Sequence, residues 1–310
     1  MSDVEPPVTD VPAATELPAT LAAAARAIVV APDPAEKVRL AKLVAKAWFG
    51  GKLSLGALSD PTEMPDRPGR PAKPDLLLPR EMPKRTTGGL KGRIALLHSL
   101  AHIELSAVDM TWDLVGRFVR APVPAGFFDD WVQVGLEEAK HFELLAKRLA
   151  ALGAAYGDHP AHDGLWQAAQ ATQGSLLARV AIVPLVLEAR GLDVGPAMIA
   201  NLETSGDQAS ADVLAIIYRD EKRHVAFGAK WFRFLCERER LPPEPTFHNL
   251  VRKHFRGPIK PPFNDKARAE AGLTPGFYKP LSALGISVTF AAELPTEPAG
   301  SLFPEPEGDG

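Results

Sequence analysis

Glu138 and His141, and again Glu221 and His224, stand three residues apart in the chain. On an α-helix a glutamate and a histidine at that spacing point the same way, so each pair can grip one metal ion. A single glutamate precedes each pair at nearly the same distance: Glu104 lies 34 residues before Glu138, and Glu188 lies 33 before Glu221. Two such pairs and two single glutamates are what four helices need to hold two metal ions between them. Corresponding glutamates of the two halves are 84 and 83 residues apart, which suggests a duplicated unit.

That chemistry requires all six residues to point inward, and their helical neighbours say that they do. Glu104 shares a face with Leu97, Leu100, Ala101, Ala107, Val108 and Val115. Glu138 shares one with Trp131, Val134, Phe142, Leu145 and Leu149, and Glu221 with Leu214, Ile217, Tyr218, Val225 and Phe232. Glu188 ends the run 176–187, apolar apart from Arg179. Apolar faces of this kind turn towards a core. Glu137 shares its own face with Asp130, Gln133 and Lys140, and reads as solvent-facing. Four buried carboxylates cost several kcal/mol each unless protonated or paired with cations, and no lysine or arginine shares a face with any of these four glutamates. Two divalent metals would balance the four charges, and two neutral imidazoles would complete the shell. Mixed carboxylate and imidazole ligands suit iron or manganese, so the expected cofactor is two Fe ions, with Mn an option in either position.

The elements that must carry these faces are helices near 90–120, 127–152, 162–190 and 207–238, with a shorter piece near 196–204 after Gly195-Pro196. Pro122, Pro124, Gly153, Gly157, Gly191 and Pro242 supply the breaks. No strand-period segment of useful length precedes residue 240. The expected fold is all-α: a four-helix bundle over 87–240, with N-terminal helices and a Pro-rich strap over 17–86 and an irregular arm over 241–295. Residues 1–16 and 296–310, rich in Pro and acidic residues, are expected to be disordered.

Composition bounds the function. The net charge of −3 points to neither nucleic acid nor an anionic membrane. The single cysteine, Cys236, excludes an internal disulfide framework and a Cys-rich electron relay within these 310 residues. No signal-peptide pattern opens the chain, and the longest apolar run is too short to span a bilayer, so a cytoplasmic protein is expected.

The stretches Leu96–Glu104 (LLHSLAHIE), Glu137–His141 (EEAKH), Leu187–Asp193 (LEARGLD) and Arg219–His224 (RDEKRH) resemble an uncharacterised bacterial branch of the ferritin-like superfamily. The resemblance runs from about residue 18 to about 290 and extends, more distantly, to di-iron tRNA hydroxylases and other ferritin-like oxygenases. It implies a ferritin-like bundle and the metal ligands Glu104, Glu138, His141, Glu188, Glu221 and His224. It supplies no substrate.

Other residues could support such a centre. His98, His102, Ser106, Asp109 and Asp113 form a polar stripe beside Glu104, from which His102 or Asp109 could hold a ligand or shuttle protons; the plain alternative is a face that meets the strap or solvent. Tyr218 could stand near the metals as a donor or redox-active phenol, or be an ordinary core tyrosine. Asp220 could hold a ligand imidazole from across the bundle. Arg190 could clamp an anion or favour a helix C-terminus. His159 and His162 lie in a Pro/Gly loop where Asp158 or Asp163 would cap a helix, and Cys236 reads as inert. Three readings follow. The first is a di-iron enzyme that activates dioxygen to oxidise an unknown small molecule, drawing electrons from an external donor and working as a monomer or homodimer. The second is iron handling, ferroxidation or peroxide scavenging. The third is tRNA modification, with Arg252, Lys253, Arg256 and Lys260 interleaved among His254, Phe255 and Phe263.

Overall fold

A computed structural model describes residues 17–56, 64–78, 81–82 and 89–283. These form an all-α fold; the β-pairing among them is limited to two isolated bridges, Thr20 with Ser54 and Leu76 with Ala161. The disorder expected for 1–16 and 296–310 lies outside the described residues, as do parts of the strap and the end of the arm.

Helices α1 (Leu21–Val30) and α2 (Pro34–Phe49) come first, capped by Thr20 and Asp33, whose side chains accept from the first-turn amides. Two long helices follow, α3 (Gly89–Arg117) and α4 (Ala125–Ala151), packed on each other along their length. α1 lies on α3, and α2 on α4. The close approach of α3 and α4 needs Gly135, where a β-carbon would stand 2.7 Å from the Trp112 indole nitrogen.

The segment expected as one helix over 162–190 is divided. α5 (Gly164–Ala171) ends in a turn, and Ser175 restarts the chain by capping α6 (Leu176–Ile182) through the Ala178 amide. A π-helical segment, Val183–Glu188, then leads into α7 (Ala189–Thr204). Pro184 lacks an N–H and would clash with the carbonyl four residues back in a regular helix, and the wider π turn relieves that clash. The turn's extra residue re-aims everything after it by about 100°. The helix does not stop at Gly191, and it passes through Pro196. Pro196 cannot bond the Leu192 carbonyl, so the Asn264 side-chain amide donates to that carbonyl instead (3.2 Å). α8 (Gln208–Arg238) packs on α4, α7 and the π segment. Gly228 lets Pro184 come within van der Waals reach of the α8 backbone.

The stretch expected as an irregular arm contains three short helices, α9 (Pro243–His254), α10 (Asp265–Glu270) and α11 (Pro275–Ala283). They are short, rich in Pro and charge, and bury only two or three residues each, so no long apolar stripe marks them in the sequence. Phe247 of α9 packs against Phe232 of α8 and against Phe277 of α11.

A buried ion pair ties the N-terminal helices to the bundle. The ammonium of Lys37 donates to the carbonyls of Ile28 and Val29 at the end of α1 and to Asp109 of α3 (2.6 Å), all out of solvent. Burial pushes Lys37 down and Asp109 up, to about 6, against the attraction each exerts on the other. Breaking one side of such a pair leaves an uncompensated buried charge. We predict that Lys37→Met costs about 3–5 kcal/mol in denaturant unfolding, and that adding Asp109→Leu restores much of it. Equal stability of Lys37→Met and the parent would refute that role.

Candidate metal centre

Each of the four bundle elements delivers part of one buried cluster. α3 supplies Glu104, α4 supplies Glu138 and His141, the end of the π segment supplies Glu188, and α8 supplies Glu221 and His224. All six are buried. They fall into two overlapping groups whose donor atoms lie within 4.8 Å of one another: Glu104, Glu138, His141 and Glu221, and Glu188, Glu221 and His224. Glu221 belongs to both. Glu138 also reaches both imidazoles, with one oxygen 3.1 Å from Nδ1 of His224 and the other 3.5 Å from Nδ1 of His141.

The outer nitrogen of each imidazole meets a carboxylate from the opposite helix. Nε2 of His141 on α4 donates to Asp220 of α8 (3.2 Å), and Nε2 of His224 on α8 donates to Glu137 of α4 (2.9 Å). The arrangement is reciprocal, because Glu137 and Asp220 each directly precede a clustered glutamate. Both outer carboxylates are in turn neutralised at the rim: Lys140 and Arg219 bond Asp220, and Arg223 and Gln133 bond Glu137. The expectation of a solvent-facing Glu137 is therefore overturned. It points across the bundle to His224, and the signal that could have found it was its matching position with Asp220.

With one N–H committed outward, a neutral imidazole would turn its Nδ1 lone pair on the carboxylate oxygens, and Nδ1 of His141 stands 3.2 Å from Glu104. Lone pairs at such separations repel unless a cation stands between them. Both oxygens of Glu138, both of Glu188, one of Glu221 and Nδ1 of His224 are buried without a hydrogen-bond partner. Buried polar atoms are rarely left so, and six of them stand together here. Protons would otherwise have to fill the gap. Burial raises Glu104 and Glu188 well above the carboxylate range, helped by the charges of Glu138 and Glu221 respectively. Burial also raises Glu221, with Glu138 adding to it. Glu138 goes the other way: burial opposes ionisation, but contacts from His141 and His224 hold it below the usual range. Burial would depress both imidazoles, yet their carboxylate partners raise them well above the ordinary value. Oxygen and imidazole donors without a thiolate fit two iron or manganese ions.

The polar stripe on α3 faces elsewhere. Asp109 meets Lys37 rather than a cluster residue, and Asp113 bonds Arg179 (2.6 Å) and Arg117. His102 pairs with the Tyr156 hydroxyl (2.9 Å) and the His162 carbonyl, and His98 accepts from the Gly157 amide. Burial drops His98 to about 4 and His102 to about 3, so both are neutral struts for the loop between α4 and α5. His102 and Asp109 therefore do not contact the clustered side chains, because the helix turn that aims Glu104 inward aims them towards the strap and α2. Asp163 receives Arg67 and Arg70 of the strap and makes no side-chain cap; Asp158 accepts from the Ala155 amide. Arg190 grips carbonyls of Lys260 and Pro262 in the arm. The Tyr218 hydroxyl is bonded by Asn264 (3.2 Å), and its ring lines a cavity beside the cluster. Burial raises the Cys236 thiol to about 11, which leaves it unreactive.

The comparisons with other proteins bear on the whole chain. A family profile described as "Protein of unknown function (DUF455)" matches residues 30–279. A relative from Haemophilus influenzae, described as an uncharacterized protein, is 40% identical over 209 residues, covering 66% of this chain and 73% of the relative. No solved structure matches. Among the described residues no helix is long and apolar enough to cross a membrane. The matched span contains all six clustered side chains and both carboxylates that hold the imidazoles, and the chain belongs to the DUF455 family.

Proposed function

We propose that the protein is a ferritin-like di-iron oxidoreductase that uses dioxygen to oxidise a small organic substrate. The observation that carries this reading is the set of six orphaned donor atoms on Glu138, Glu188, Glu221 and His224, buried where four helices converge. Glu104, Glu138, His141 and Glu221 would hold one ion, and Glu188, Glu221 and His224 the other. Two ferrous ions so held would supply the electrons and open coordination positions that dioxygen needs. Hydroxylation, for instance, consumes one dioxygen, two electrons from an external reductant and two protons, inserts one oxygen into a C–H bond and releases the other as water.

The chain's own residues do the rest. Asp220 and Glu137 fix the tautomer and ring orientation of His141 and His224, keeping both Nδ1 lone pairs inward. Lys140, Arg219 and Arg223 keep those two carboxylates ionised. Core side chains such as Trp131, Phe142 and Leu187 shut water out around the cluster.

The cavity beside the cluster favours an organic substrate over iron storage or ferroxidation. Its lining is almost wholly apolar, and repeated passage of hydrated cations along leucine, isoleucine and methionine is costly. The arm's phenylalanines weaken the RNA reading, because Phe255 and Phe263 pack on the core and are not free to stack on bases.

Anaerobic titration with Fe(II) or Mn(II) is expected to load about two ions per chain and to raise the unfolding temperature. Glu221→Ala, which removes the residue common to both groups, should bring loading below one; a variant that still takes up a full complement refutes the assignment. Glu137→Ala and Asp220→Ala should each weaken metal affinity by about 10–100-fold. Unchanged affinity in both would show that they do not orient the imidazoles. The reduced iron form should consume dioxygen in an oxygen-electrode assay. Reaction with hydrogen peroxide but not dioxygen would point to peroxide scavenging instead.

A further inference from the structure

The cavity meets the cluster on one side only. Glu104, Glu138, Glu188 and Glu221 line it, and neither His141 nor His224 does. Residual exposure agrees for five of the six: Glu104, Glu188 and Glu221 keep 5–9% and both imidazoles keep none, while Glu138 lines the cavity but has no exposure of its own. Whatever reaches the centre therefore arrives over the three glutamates, and the histidines close the opposite face.

The route is built for carbon. Its walls include Leu100, Met110, Leu214 and Ile217, and its half-buried outer residues include Ile103 and Met198. Apart from the four glutamates, Tyr218 is its one polar side chain, and that hydroxyl is already bonded to Asn264 outside the wall. No lysine or arginine lines it, so nothing there would compensate a buried anion. The enclosed space is about 70 Å³. That is roughly half of the ~150 Å³ that holds a benzene ring in an apolar protein cavity.

We propose that this cavity binds the uncharged, apolar end of an organic molecule, a few carbons long, and presents it to the Glu104–Glu188–Glu221 side of the cluster while the rest of the molecule stays at the mouth. As a substrate assignment this rests on the oxidoreductase reading; as a binding site it does not. Two glycines of α7 set its width. At Gly191 an added β-carbon meets no atom within 4 Å, so the space beside that backbone is open cavity. At Gly195 a β-carbon would stand 2.8 Å from the Tyr218 ring, so the missing side chain lets that ring close the wall.

The test compares 1-hexanol with 1,6-hexanediol, equal in carbon number but without an apolar end in the diol. Both are titrated by calorimetry into the full chain, metal-free and iron-loaded. Hexanol should bind about tenfold tighter or more, because the diol must strip water from a hydroxyl to pass walls that are mostly leucine, isoleucine and methionine. Gly191→Leu should abolish hexanol binding while keeping the parent's metal content. It should also fold, since leucine is the better helix former by about 1 kcal/mol. Gly191→Ala, a smaller intrusion, should weaken hexanol binding by less. Equal affinity for the two alcohols, or hexanol binding by a folded Gly191→Leu at the parent's strength, would overturn the proposal. Selective hexanol binding by a protein that takes up no iron would uphold the cavity and sink the metal reading instead.

Discussion

Four carboxylates and two imidazoles converge in a space that water hardly enters, and the rest of the molecule answers to that constraint. Ionised side chains in such a place need cations or protons. Among the described residues no lysine or arginine bonds the six clustered side chains; those nearest them stop one layer out, on Glu137 and Asp220. That division has a physical logic. A lysine inside would satisfy the glutamates and leave nothing for a metal to do, whereas a lysine or arginine one layer out keeps the orienting carboxylates charged and leaves the inner donors unspent.

Where the donors sit was largely legible in the sequence, and the reason is geometric. Three-residue spacing fixes Glu138 with His141 and Glu221 with His224 on one helix face, whatever surrounds them. Apolar neighbours fix which way that face turns. The same reasoning failed for Glu137, because a helix face with Asp130, Gln133 and Lys140 on it looks wet from one strand of sequence alone. Glu137 is buried by a contact with α8, and a contact between helices has no periodicity to read. Asp109 and His102 misled in the opposite sense: they are buried polar groups near Glu104 in sequence, but their partners come from α2 and from the loop after α4.

The third bundle element was misjudged for a related reason. Pro184, Gly191, Gly195 and Pro196 each break a helix in isolation. Here the backbone is repaired from outside, by a π turn at Pro184 and by Asn264 bonding the carbonyl that Pro196 cannot reach. Local propensity cannot register a hydrogen bond delivered from a segment more than sixty residues further along. The glycines and prolines that look like punctuation in the sequence thus become the wall of the cavity and the platform for Glu188.

The two halves of the ligand set are held in place by different means. The pairs on α4 and α8 position each other, since each imidazole is gripped by a carboxylate from the other helix. The single glutamates have no such partner. Glu104 sits on α3, which is pinned from one side by Lys37 of α2 through Asp109, five residues along. Glu188 opens α7, which is pinned by the C-terminal helices: Arg268 forks onto Asp193 (2.7 and 2.6 Å), Arg190 grips the chain at Lys260 and Pro262, and Asn264 holds both Leu192 and Tyr218. The additions at either end of the bundle are therefore part of the centre's construction. Without them Glu104 and Glu188 would ride on helices free to shift, and a cluster built from four separate elements keeps its geometry only if those elements are held.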